Sequence, residues 1–110
     1  MPYDQRLAER VRWFLRERPG VSERKMFGGL CFMVNGHMCC GVAGEDLVLR
    51  LGEERAAEAL ERPHARPLDF TGRPMKSMIY VSLAGLGNEE SLGGWLEQAL
   101  AFVGTLPSKG

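Results

Sequence analysis

The sequence predicts an α+β domain of two layers, an antiparallel sheet packed with N-terminal and C-terminal helices. Three observations point there. Apolar residues recur with a helical period at both ends of the chain, they alternate as in strands between those ends, and an Asn-Gly pair joins two of the apolar runs. Strand-like and helical segments are segregated rather than alternating one by one, which favours an antiparallel sheet over a parallel α/β core. A chain of 110 residues has room for one such domain. It is read as residues 1–104, with a loose tail over 105–110.

Residues 4–18 carry the first helical pattern. Leu7, Ala8, Val11, Phe14 and Leu15 fall on one face of a 3.6-residue period, Asp4 is placed to cap the start, and Pro19-Gly20 stops the run. Trp13 lies about 160° from the centre of that stripe, among Arg6, Glu9, Arg10, Arg16 and Glu17. From Met26 the period becomes strand-like. Leu30–Val34 and His37–Val42 flank Asn35-Gly36, the sequence of a type I′ hairpin turn. Leu47–Leu51 supplies a third strand, completing a three-stranded meander. Glu53–Glu61 forms a short Glu- and Ala-rich helix, and Pro63 and Pro67 bracket an extended linker. Lys76–Leu83 alternates again as a strand, and Gly85-Leu86-Gly87 reads as a loop. Asn88 caps a last helix whose stripe is Leu92, Trp95, Leu96, Ala99, Leu100 and Val103, ended by Gly104. Gly93-Gly94 weakens that helix, so it needs tertiary packing or a close neighbour there.

Composition narrows the function classes. Fourteen basic and fourteen acidic side chains give a formal net charge of zero. That argues against a stand-alone nucleic-acid binder, whose affinity comes from neutralising phosphates, and against a polybasic membrane anchor. No run of about 18 apolar residues is present to span a bilayer, and the first residues lack the apolar core of a signal peptide. Three cysteines, an odd and small number, fit a cytoplasmic protein better than a disulfide scaffold. Charge is nevertheless uneven. Residues 1–25 hold seven basic and four acidic side chains, and residues 45–61 hold two basic and six acidic.

Catalytic motifs are missing: no G-x-S-x-G, P-loop or G-x-G-x-x-G is found. The reading is therefore a non-enzymatic chain without a cofactor. His37, beside the turn, is expected to be solvated, His64 sits in a basic loop, and Asp69 satisfies turn backbone. A regular hairpin would pair Phe32 with Cys39 and Cys31 with Cys40, gathering Cys31, Met33, Met38 and Cys40 on one face. Two readings of that patch stay open. Cys and Met are adaptable core fillers, and the same four side chains are a soft ligand set, or Cys31 and Cys40 a thiol redox pair. The strongest interaction clue is Trp13 on a polar helix face, with Arg10 as a stacking neighbour. Arg24 and Lys25, with Arg66 and Arg73, complete a candidate partner-binding surface. An exposed sheet edge would also allow a homodimer.

The segment Arg24-Lys25-Met26-Phe27-Gly28-Gly29-Leu30-Cys31-Phe32-Met33-Val34-Asn35-Gly36-His37-Met38 resembles the opening of the N-terminal domain of the TfoX/Sxy family. That opening has a basic pair, Met-Phe-Gly-Gly, an apolar strand and an Asn-Gly turn. Asp46–Leu51 and the stretch from Ala65 to Lys76 are similar to a branch of the same family. The resemblance runs from the first helix to the last and implies an α+β domain of a bacterial regulator of natural competence genes. Such regulators act as co-activators with the cAMP receptor protein at promoters, so the implied partner is a protein of the transcription machinery. The longer regulators carry a second, C-terminal domain, and this chain reads as a stand-alone short form. The family offers no catalytic residues to carry over.

Overall fold

Asn35 and Gly36 both adopt positive φ, 52° and 85°, as a two-residue type I′ turn requires. They join β2 (Gly29–Val34) to β3 (His37–Ala43), two interior strands of the sheet. In the computed structural model, residues 3–26, 28–68 and 75–107 are described. Around the hairpin lie α1 (Gln5–Leu15), β1 (Val21–Met26), β4 (Asp46–Arg50), α2 (Glu53–Ala59), β5 (Ala65–Leu68), β6 (Met75–Val81), a 3₁₀ turn (Leu83–Leu86) and α3 (Glu89–Val103). The six strands form one antiparallel sheet in the order β1-β2-β3-β4-β6-β5.

The expected two-layer α+β architecture is present, with more strand than predicted. The meander has four strands, because Val21–Met26 pairs with β2 over its whole length. Its residues read Val-Ser-Glu-Arg-Lys-Met, with no apolar alternation to announce a strand. The expected linker around Pro67 contains β5, on the far edge, where a missing N–H is tolerated. The Gly85–Gly87 loop is mostly the 3₁₀ turn.

One face of the sheet meets the helices. Leu30, Phe32, Val42, Leu47, Leu49, Ile79 and Val81 share a core with Leu7, Val11 and Leu15 of α1, Ala56 and Ala59 of α2, and Leu92, Trp95, Leu96 and Leu100 of α3. Each buried Val, Leu, Ile or Phe among them contributes about 1.5–3 kcal/mol by leaving water. Both long helices start on the predicted caps: Asp4 Oδ1 accepts from Leu7 N at 3.0 Å, and Asn88 Oδ1 from Ser91 N at 2.7 Å. Gly93 is buried, and a Cβ there would stand 3.1 Å from the Phe14 ring, so the weak spot of α3 is where α1 docks.

The hairpin departs from regular pairing. Met33 faces Met38 but Phe32 faces Cys40, so Cys39 is the extra residue of a β-bulge. Arg50 donates to the Met38 carbonyl at the bulge, at 3.4 Å. Beyond α3, Thr105 N and Leu106 N bond to the Phe102 and Val103 carbonyls. His37, expected in solvent, is instead only 8% exposed, and its Nε2 meets the Pro107 carbonyl. The chain after α3 supplies that partner from a position seventy residues distant.

Candidate interaction surface

α1 lies between α3 and the β1 margin of the sheet, tied to each by one arginine. Arg10 Nε is 2.7 Å from Glu89 Oε1, and its Nη2 donates to the Leu86 carbonyl at 2.7 Å. Arg12 donates to both oxygens of Glu23 in β1, at 2.7 and 2.8 Å, and also pairs with Glu9. The Arg12 guanidinium holds the Glu23 carboxyl below its ordinary pKa, and the pairing raises that of Arg12 in turn. Trp13 stands on the crest between these braces and is 63% exposed. The Arg16 guanidinium lies 3.8 Å from the centroid of its ring and donates to the Trp13 carbonyl at 2.7 Å. Expected stacking by Arg10 therefore gives way to Arg16, three residues on, because Arg10 is held by groups on the α3 side. The i, i+3 spacing of Trp13 and Arg16 was the signal for it.

The other predicted surface residues are dispersed. Arg24 and Lys25 are exposed on β1, joined to the α1 crest through the Arg12–Glu23 pair. Arg66 is on β5, at the opposite edge, 2.5 Å from Asp46 Oδ2 and 5.0 Å from the Tyr80 ring centroid. It does not join Arg24 and Lys25 in one patch, since four strands separate β1 from β5. Arg73 and Asp69 lie outside the described residues. A cleft of ≈ 420 Å³ opens at the start of α3, beside Arg62, Asn88, Ser91 and Trp95. The Arg62 guanidinium covers the Trp95 ring there at 4.2 Å.

The bulge overturns the expected sulfur patch. Cys31 pairs with Gly41 and lies toward the side away from the helices with Met33 and Met38, whereas Cys40 joins the helix-facing core opposite Phe32. The four side chains therefore do not form one ligand set, and Cys31 and Cys40 are not cross-strand partners. Counting pairs outward from Asn35-Gly36 gives a regular ladder, and nothing in the residues of β3 announces the extra one. Cys39 enters the core beside Cys40. A hydrogen bond with Cys40 draws the Cys39 thiol below its ordinary pKa, and with burial pushes that of Cys40 well above. Burial also raises Cys31. All three are free and buried. Among the described residues no three His, Cys, Asp or Glu side chains are placed to hold a metal, and no helix is long and apolar enough to cross a membrane.

No curated protein and no solved structure matches the chain significantly. A family model does: the TfoX N-terminal domain aligns with residues 14–103, from the last two residues of α1, just after Trp13, to the last residue of α3. With most of its length and every strand of its sheet inside that match, the chain belongs to the TfoX N-terminal domain family.

Proposed function

We propose that the chain is a non-enzymatic regulatory or adaptor domain that acts through protein–protein contacts in transcription regulation, with natural competence as the regulated process its family points to. Membership in the TfoX N-terminal domain family suggests the regulatory or adaptor role. The observation that carries the contact surface is Trp13, left 63% exposed on a helix whose neighbouring arginines are engaged in pairs. Exposed Trp beside Arg is the composition of an interface hot spot, where a large ring gains affinity at low conformational cost. Arg16 presents the ring, and Arg24 and Lys25 extend the surface along β1. Arg10 is assigned a bracing role instead, since it is spent on Glu89 and the Leu86 carbonyl.

The test is capture of tagged protein from its own cells with nuclease present, comparing wild type with Trp13→Ala. Wild type is expected to retain a transcription factor or polymerase subunit, and the variant to lose it while melting at the wild-type temperature. Capture that disappears on nuclease treatment would make nucleic acid the bridge and sink the adaptor reading. Capture unchanged in the variant would remove Trp13 from the surface.

A further inference from the structure

The two margins of the sheet are built differently. β5 closes one with Pro67, which has no N–H, and with a register shift between Pro67 and Leu68. β1 closes the other with six consecutive residues, without proline or shift. Gly20 accepts from Asn35 N at 3.0 Å, and these residues continue the β1–β2 register. Antiparallel bonding alternates, so Ser22 and Arg24 turn their peptide groups toward β2, while Val21, Glu23 and Lys25 turn theirs outward. Side chains from Ser22 to Lys25 are exposed. Glu23 is neutralised by Arg12, and Arg24 and Lys25 have no ion-pair partner among the described residues. Among the described residues the margin is therefore a row of outward backbone donors and acceptors beside two unpaired cations.

We infer that β1 is a strand-addition site for an extended acidic segment of a partner protein, an inference that rests on the adaptor reading and specifies its mode of contact. Backbone pairing supplies the affinity in such complexes, and alternate side chains supply the selectivity. An acidic side chain on the helix side of the added strand meets Lys25, and one on the reverse side meets Arg24. A second copy of β1 is the competing occupant: of the two self-paired registers that overlap it most and use its outward peptide groups, one sets Glu23 against Glu23, and the other sets Arg24 against Arg24 while placing each Glu23 opposite a Lys25. An acidic segment meets both free cations without the Arg24–Arg24 contact.

The experiment is amide hydrogen exchange by NMR on the whole chain, with short synthetic peptides of alternating Glu and Val, or of alternating Lys and Val. The Glu-Val peptide is expected to slow exchange at Val21, Glu23 and Lys25, and the Lys-Val peptide to leave them unchanged. Lys25→Pro removes an outward N–H that no internal ladder bond uses, a position where edge strands accept proline, and is expected to abolish the protection. Should that variant fail to fold, Arg24→Glu with Lys25→Glu keeps the backbone and is expected to transfer protection to the Lys-Val peptide. Equal protection by both peptides, protection by neither, or protection confined to α1 around Trp13 would each overturn strand addition. So would protection that grows with protein concentration alone, which would give the edge to a second copy. A cellular partner that Lys25→Pro still captures defeats strand addition and leaves the adaptor reading standing; wild type that captures nothing defeats the adaptor reading.

Discussion

The two faces of the sheet carry unequal loads. Toward the helices, the inward residues of β2, β3, β4 and β6 join a single core with side chains from all three helices. On the reverse face, among the described residues, Val48, Leu68 and Met78 make a small cluster of their own, bordered by Met38, Ala43 and Tyr80. The same strands thus serve one face that fixes the fold and another that answers to fewer neighbours. Burial depth alone does not separate them, since Leu68 is as inaccessible as Phe32. What differs is how many elements close over each residue, and therefore how much must move when a side chain is removed.

Truncation tests this directly. Phe32→Ala, in the helix-facing core, is expected to cost about 3–5 kcal/mol in urea unfolding, from lost burial and the cavity left behind. Met78→Ala on the reverse face should cost about 2 kcal/mol, the low end for a buried Met, because a small cluster relaxes around the gap. Equal losses for the two would erase the distinction between the faces. Glu23→Gln probes the brace between α1 and β1 and should cost no more than about 1 kcal/mol at neutral pH, the ceiling for a partly exposed pair. Because Arg12 holds the folded-state pKa of Glu23 below its ordinary 4.5, the stabilisation is complete above that value and is lost as pH falls through the lower one. Denaturation midpoints of variant and wild type should therefore converge in acid. Trp13→Ala should change stability least, by under about 0.5 kcal/mol, as for surface side chains outside any buried network.

How much of this was legible in the sequence depended on how far away the deciding contact lay. The caps Asp4 and Asn88, the Asn35-Gly36 turn and the polar setting of Trp13 are local, and each was read from a handful of neighbours. β1 escaped because its strand character comes from pairing with β2, and its middle four side chains are polar. Pro67 argued against a strand, yet an edge position removes the objection. The burial of His37 waited on Pro107, and the engagement of Arg10 on Glu89 and Leu86. Part of the candidate surface was legible as composition, in Trp13, Arg24 and Lys25. Its division between the two sheet margins, which sets Arg66 apart, was a matter of topology.

The bulge at Cys39 also says where this domain can change length. In a regular strand, losing one residue exchanges the faces of everything beyond it, turning core outward. β3 carries one residue more than its pairing with β2 needs, with Met38 and Cys40 already opposite consecutive partners. A lineage that dropped Cys39 would keep every other β2–β3 pair in place, giving up one buried thiol side chain. The middle of the sheet thus holds a spare position in the ladder, a place inside a strand where descent can shorten the chain without turning the fold inside out.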